Sequence, residues 1–259
     1  MNMPLNAPPK PAVSASPVVE LRQYTLKPGR RDTLIDIFDG RLIEGQEDAG
    51  MTIIGQFRDL DRPDMFVWMR GFDGMVARKN ALADFYGGPV WAAHSHAANA
   101  TMIDSDDVLP LKPAWPGAGF DLAGAQRPSL GTDEKPIRNK PLPGIVVIEI
   151  HHLQPGTEVD FANRFEAETA CLTTADARLL AAFVTEHAEN SFPRLPVRAD
   201  GNVFLSVTGF DSAEAHAHHQ AALAASPVWQ AFWQAARLGL TKPTETLRLS
   251  PTSQSLVGR

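Results

Sequence analysis

The sequence has little of several features that would indicate a function at once. Its 259 residues include one cysteine, Cys171, so an internal disulfide and a thiolate metal cluster are both excluded. No apolar run approaches the ~18 residues that a membrane span requires. Lys and Arg number 24 against 30 Asp and Glu, so the basic excess typical of nucleic-acid-binding proteins is missing. We therefore expect neither a nucleic-acid nor a membrane partner.

Common catalytic motifs are also missing. The sequence holds no Walker A loop, no GxGxxG and no GxSxG, which argues against nucleotide-driven and serine-hydrolase chemistry. His216, His218 and His219 lie close together, but the segment lacks an HExxH-type pattern and offers only Glu214 as a further ligand. We expect an exposed polar helix face there, no metal site and no tightly held cofactor.

The first 17 residues resemble a tail. They are rich in proline and contain neither the hydrophobic core of a secretory signal nor the arginines of a transit peptide. We expect residues 1–17 to be disordered and, by default, the protein to be cytoplasmic.

An internal repeat organises the remaining chain. The stretch Leu26-Lys27-Pro28-Gly29 recurs as Leu153-Gln154-Pro155-Gly156, and Pro89-Val90-Trp91 recurs as Pro227-Val228-Trp229. The offset between the copies is constant on each side of one insertion, which falls at residues 189–196. Because insertions are tolerated in loops, we interpret this pattern as a duplication.

Each copy is expected to contain the same elements. In the first, residues 18–26, 52–58, 65–71 and 100–104 have the composition of strands, and residues 31–47, 74–85 and a segment starting at Pro89 have that of helices. The order β-α-β-β-α-β is that of the ferredoxin-like fold. We therefore expect an α+β protein with two tandem ferredoxin-like units packed sheet to sheet.

The expected divisions of the chain follow from this order. The first unit covers residues 18–105, and the diverged second unit covers residues 144–250. A crossover rich in proline and glycine, residues 106–143, joins them, and residues 251–259 form a second tail. Trp115 and Phe120 are large for a free linker, so the crossover is expected to lie on the body of the protein.

The first copy resembles the NIPSNAP family. The resemblance rests on Glu20-Leu21-Arg22, Tyr24-Thr25-Leu26-Lys27-Pro28-Gly29, Trp68-Met69-Arg70-Gly71-Phe72 and Phe85-Tyr86-Gly87-Gly88-Pro89-Val90-Trp91, followed by His94. The second copy matches weakly. This resemblance implies the dimeric α/β-barrel superfamily, in which two ferredoxin-like sheets form one barrel, usually in a homodimer. A tandem chain would form that barrel internally, and further homo-oligomerisation stays open.

The candidate site lies on the polar strand faces. Arg22 and Tyr24 share a face with Glu20, and the equivalent positions of the second copy hold Glu149 and His151. Trp68 and Arg70 share a face of the third strand. We expect at least two of Arg22, Tyr24, Glu149 and His151 to line one barrel cavity, with His151 as a base near neutral pH and Arg22 on an anion or carbonyl. The structural alternative is an Arg22–Glu149 salt bridge across the barrel.

Two further alternatives stay open. His94, at a position that resembles the family, is either a catalytic group or a histidine that packs or caps its helix. The whole protein is either an enzyme or a non-catalytic binding or scaffold module. As an enzyme, it would bind a small, largely apolar or aromatic molecule in the barrel cavity and act as a cofactor-independent oxygenase or isomerase. The expected catalytic residues are Tyr24, His94 and His151. The expected ligand-binding residues are Arg22, Trp68, Arg70 and Glu149. A barrel filled with Met, Phe and Leu would favour the scaffold.

Overall fold

The computed structural model describes residues 16–128, 143–173, 177–198 and 201–258. Residues 1–15 of the predicted disordered tail and residues 129–142 of the predicted crossover therefore lie outside the described residues. Ser16, at the end of the predicted tail, is buried.

The described chain contains helices together with eight strands that close into one antiparallel barrel. Around the barrel the strands follow the order β1-β3-β2-β8-β5-β7-β6-β4. The strands are β1 (Val18–Leu26), β2 (Thr52–Asp59), β3 (Met65–Phe72), β4 (Met102–Pro113), β5 (Ile145–His152), β6 (Arg178–Thr185), β7 (Val203–Phe210) and β8 (Glu245–Pro251). The α+β expectation is confirmed in this form.

Two seams join the first four strands to the last four. Hydrogen bonds between β2 and β8 form one seam, with Phe57 opposite Pro251, and those between β4 and β6 form the other, with Leu111 opposite Thr185. The strand edges that two open sheets would expose are thereby paired. β4 runs to Pro113, beyond its predicted end, because its last residues form the second seam.

Helices cover the outer face of the barrel. They are α1 (Arg31–Ile37), α2 (Ile43–Asp48), α3 (Met75–Gly87), α4 (Pro89–Asn99), α5 (Glu158–Ala167), α6 (Thr169–Leu172), α7 (Ala213–Ala225) and α8 (Pro227–Ala236). A π-helical turn, Phe38–Leu42, joins α1 to α2, so the single helix predicted over residues 31–47 is interrupted. π-helical turns occur frequently at functional sites. Within the described residues, no helix is long and apolar enough to cross a membrane.

The barrel interior is filled with apolar side chains. Val19 and Leu21 of β1 point inward, whereas the alternate residues of that strand point toward the helices. The interior also holds Met69, Ile148, Phe183, Leu205 and other aliphatic residues that are almost fully buried. The expectation of a ligand cavity inside the barrel is therefore wrong.

Segments outside the strands complete this core. Phe120 and Leu122 of the crossover belong to it, and so does Val257, which lies in the predicted C-terminal tail. A Cβ atom on Gly55 would approach the Val257 side chain to 2.8 Å, so a glycine is needed where the C-terminal segment packs on β2. Residues 251–258 are thus part of the packed body.

Candidate functional site

A buried ionic cluster lies between the barrel wall and the helices of the first half. Glu20 on β1 is fully buried and accepts hydrogen bonds from Arg22 Nη1 at 2.8 Å, Arg70 Nε at 2.8 Å and Arg78 Nε at 2.7 Å. Arg22 and Arg70 come from β1 and β3, where Glu20 and Arg70 are direct cross-strand partners, and Arg78 comes from α3. We call these four residues the arginine cluster.

Opposing effects act on the charge of Glu20. Burial alone would raise the pKa of its carboxyl group, because a low dielectric disfavours the ionised form. The guanidinium groups of Arg70, Arg22 and Arg78 outweigh that effect and hold the pKa well below its ordinary value. Glu20 is therefore ionised at neutral pH.

Arg22 connects the cluster to an aromatic wall. Its Nε donates a hydrogen bond to the Tyr24 hydroxyl at 3.0 Å, and its guanidinium carbon lies 5.4 Å from the centre of the Trp68 ring. The guanidinium of Arg70 lies 5.1 Å from the same ring. Burial raises the pKa of Tyr24, so its phenol keeps its proton at neutral pH and can donate it to a further acceptor.

A small pocket lies on the other side of this wall. Its volume is about 30 Å³, and it is bounded by strand residues, by the π-helical turn and by α2, α3 and α4. Its lining is predominantly aromatic and apolar: Tyr24, Leu34, Phe38, Leu42, Gln46, Trp68, Phe85, Tyr86, Trp91 and Met102. We call it the aromatic pocket. That volume holds one or two water molecules, so a larger ligand requires a wall to move outward.

Of the helices that bound the pocket, α4 has the fewest buried residues. Ala98 is its one fully buried residue, whereas α3 buries Arg78, Ala81, Leu82 and Phe85. Segments with few buried contacts open at the lowest free-energy cost. Outward displacement of α4, which carries Trp91, would therefore enlarge the pocket most easily.

A loop from the second half packs on this site. Arg78 Nη1 donates to Asn190 Oδ1 at 2.9 Å and to Ser191 Oγ at 3.2 Å. The ring of Phe192 stacks on that of Tyr86, with 6.2 Å between their centres. These residues belong to segment 189–196, which the sequence analysis interprets as an insertion. The segment contacts one arginine of the cluster and supports the Tyr86 side of the pocket.

Within the described part of the chain, buried polar atoms without a hydrogen-bond partner concentrate in the same region. They include Trp68 Nε1, Arg70 Nη2, Arg78 Nη2 and Gln46 Oε1. Gln56, which is opposite Trp68 on β2, is fully buried with both amide atoms unpartnered. Buried polar groups normally have partners, so this concentration is characteristic of a site that receives a ligand or ordered water.

Two larger clefts lie elsewhere among the described residues. A cleft of about 180 Å³ between α5 and α8 has Phe161 and Phe232 in its wall, and its charged residues, Asp160 and Arg164, are exposed. Another, of about 210 Å³, lies beside the π-helical turn, where Arg127 is already paired with Glu47.

The structure does not bring the predicted residues of the two halves together. Of Arg22, Tyr24, Glu149 and His151, only Tyr24 is among the residues that line the aromatic pocket. Arg22 pairs with Glu20 on its own strand, so the expected Arg22–Glu149 salt bridge is wrong. Residues of these two strands that share the outward face lie on opposite sides of the filled barrel.

His151 lies in an aromatic environment of the second half. Its ring centre is 5.0 Å from that of Trp233 and 5.4 Å from that of Phe161, and its Nδ1 is 2.9 Å from Thr244 Oγ1. Burial lowers the pKa of His151 to about 3, so the expectation of a base near neutral pH is wrong. Burial also raises the pKa of Glu149, whose side chain has no ion-pair or hydrogen-bond partner among the described residues.

The other histidines do not join the pocket. His94 on α4 is half-buried and is not among the pocket-lining residues. His216 and His219 pack against Phe210 and are buried, so the expected exposed helix face is wrong at these two positions. No group of three or more potential metal ligands is found in the part of the chain that the structure describes.

Sequence reasoning missed Arg78, Tyr86 and Trp91 as residues of the site. A signal for Arg78 exists, because it occupies one helical face with Ala81, Leu82 and Phe85, where an apolar residue would be expected. Tyr86 and Trp91 are part of the NIPSNAP-like motif, but the motif does not show that their side chains line a pocket.

Comparison with known proteins finds a family match in the first half of the chain. Residues 19–115 match the NIPSNAP family model. The NIPSNAP match therefore includes β1, β3 and β4, α3 and α4, and the whole arginine cluster. No curated protein matches the sequence. An uncharacterised NIPSNAP-like domain protein from Burkholderia xenovorans is 26% identical over 41% of this chain and 83% of its own, with a TM-score of 0.34.

Other solved structures share the fold over nearly the whole chain. A protein from Lactobacillus acidophilus NCFM, described as a "putative monooxygenase", has a TM-score of 0.56 at 11% identity and covers 93% of this chain and 97% of its own. An anthrone oxidase-like protein has a TM-score of 0.55 at 14% identity and covers 92% and 93%. At these identities the likeness extends to the barrel fold alone.

Proposed function

We propose that the aromatic pocket binds a small aromatic molecule and that the protein oxidises it with dioxygen, without a bound cofactor. The observation that carries this proposal is the position of the Arg22–Tyr24 pair. It places a protonated phenol, backed by a guanidinium, in the wall of a pocket whose other side chains, except that of Gln46, are aromatic or apolar. The monooxygenase and anthrone oxidase-like descriptions of the two proteins that share the fold are consistent with this class of reaction.

The pocket would act by stabilising a substrate anion. An enol or phenol that has released its proton to the solvent and binds as the anion is electron-rich enough to reduce dioxygen itself, which removes the need for a cofactor. Tyr24, already accepting a hydrogen bond from Arg22, would donate its own proton to the substrate oxygen, and the positive charge behind it would stabilise the anion. Isomerisation could proceed through the same anion. Measuring oxygen uptake distinguishes the two reactions, because isomerisation consumes no oxygen.

Duplication explains why one half would carry this site. The ladder pairs Arg22 with Trp68 and Glu149 with Ser206, which are the positions that the repeat aligns. The strands also follow equivalent orders, β4-β1-β3-β2 and β8-β5-β7-β6. We infer two ferredoxin-like units, of which the first, residues 18–105 with its extended β4, holds the site and the second has lost it.

Anthrone is a suitable test substrate. Its oxidation to anthraquinone consumes one dioxygen, places one oxygen atom in the product and releases the other as water. We expect oxygen uptake in step with anthraquinone absorbance, and a roughly 100-fold lower rate in Tyr24→Phe, the size of effect that removing one oxyanion donor has elsewhere. An exposed substitution, Asp36→Asn, serves as the control. A Tyr24→Phe rate equal to that of wild type would refute the role of Tyr24.

A non-catalytic binding module is the second candidate function. The small volume of the pocket and the filled barrel favour it. In the same experiment, quenching of tryptophan fluorescence by anthrone without oxygen uptake would support the binding module and contradict the enzyme. Absence of both signals would contradict a pocket for aromatic molecules of this kind.

A further inference from the structure

We propose that the ligand of the aromatic pocket carries a permanent negative charge, and that this charge is a carboxylate which pairs with the arginine cluster. The inference rests on the proposed function, because it takes the pocket to be a binding site, and it adds the chemical class of the ligand: an aromatic acid.

The first observation is the charge of the cluster. Three guanidinium groups, none more than 2% exposed, share one fully buried carboxylate. Among the described residues, Glu20 is the one acidic side chain paired with them. The cluster therefore has a net charge of two positive units in a buried environment, where an uncompensated charge is strongly unfavourable. A second carboxylate would halve that excess.

The second observation is the set of donors that lack an acceptor. Nη2 of Arg70 and Nη2 of Arg78 are buried and have no hydrogen-bond partner among the described residues, and the same is true of Trp68 Nε1. Arginine and tryptophan side chains can only donate, and an ionised carboxylate can only accept. Guanidinium groups also match the planar, two-oxygen geometry of a carboxylate.

The third observation is the position of the cluster relative to the pocket. Arg22 lies 5.5 Å from the ring centre of Tyr24 and 5.4 Å from that of Trp68, and both rings line the pocket. The rings of Tyr24 and Trp68 thus lie between the pocket and the guanidinium groups. A ligand whose ring contacts Tyr86 and Trp91 would bring its carboxylate to the arginines when these two rings move apart.

The fold itself does not require these charges. In the second half, the ladder pair that corresponds to Glu20 and Arg70 consists of Val147 and Thr208. The repeat places His216, with a depressed pKa caused first by burial, at the position of Arg78. The second set of four strands forms its part of the barrel without the cluster, so a structural requirement does not account for three buried arginines in the first.

A pair of nearly isosteric probes tests the inference. Binding of 2-naphthoate and of the neutral 2-naphthamide to the full chain is measured by calorimetry and by quenching of tryptophan fluorescence. We expect 2-naphthoate to bind at least about tenfold more tightly, because hydrogen bonds to a charged group are the stronger ones. Arg70→Met should abolish this preference, and the exposed control Arg30→Met should retain it.

The outcomes separate this inference from the proposed function. If both probes bind with equal affinity to the wild-type protein, the pocket stands and the aromatic acid is refuted. If neither binds, the aromatic pocket is refuted together with its ligand class. The wild-type comparison decides between these results even if Arg70→Met fails to fold.

Discussion

Replacing Glu20 with glutamine isolates the contribution of the one carboxylate in the arginine cluster. Glutamine keeps the size of the side chain but removes its charge, so three buried guanidinium groups would face each other without a counterion. Breaking a single buried ion pair costs about 3–5 kcal/mol. Three contacts of 2.7 to 2.8 Å are affected here, so we expect a loss of at least about 3 kcal/mol.

Urea denaturation followed by circular dichroism measures this loss. With a slope of about 3 kcal/mol per molar urea, the midpoint of Glu20→Gln should fall by about 1 M or more at neutral pH. Glu44→Gln, on the exposed surface of α2, should leave the midpoint within about 0.2 M of wild type. Equal midpoints for Glu20→Gln and Glu44→Gln would refute the view that the cluster is a high-energy ionic site.

The pH dependence provides an independent check. The folded pKa of Glu20 lies below its unfolded value of 4.5, so the unfolded state binds more protons as the solution is acidified. The stabilisation by Glu20 is complete above that value and declines as the pH falls below it. Glu20→Gln should therefore lose less stability than wild type between neutral and acidic pH.

Three further predictions concern the rest of the molecule. Glu149 has a raised pKa in the folded state, so the folded protein binds more protons and its stability should fall as pH rises above 4.5; Glu149→Gln should flatten that dependence in urea titrations. Phe183→Ala should cost about 3–5 kcal/mol by denaturation, because the ring is fully buried inside the barrel, and a cost below about 1 kcal/mol would contradict a filled interior. Phe192→Ala removes the ring stacked on Tyr86 and should weaken 2-naphthoate binding about fivefold by calorimetry, and unchanged affinity would exclude a role of Phe192 in supporting the Tyr86 side of the pocket.

The limits of β1 were predictable because local signals define them. β1 begins and ends where it was predicted, at Val18 and Leu26, since β-branched residues precede a Pro-Gly turn. Period-two alternation likewise predicted that Glu20, Arg22 and Tyr24 share a face.

The side of the sheet on which that face lies was not predictable in the same way. Nearly every residue of β1 is buried, because the strand has the barrel core on one side and helices on the other. Alternation separates two faces but does not say which is interior when both are covered. The partnership of Arg78 with Glu20, and the contact of Asn190 with Arg78, depend on tertiary packing between distant segments and have no local signal.

A crystal structure of the protein with 2-naphthoate tests the central claim most directly. The account predicts the naphthalene ring between Trp68 and Trp91, an outward shift of α4, and the carboxylate within hydrogen-bond distance of a guanidinium of the arginine cluster. Naphthoate bound instead in the cleft between α5 and α8, with the aromatic pocket closed as it is in the free protein, would contradict the account.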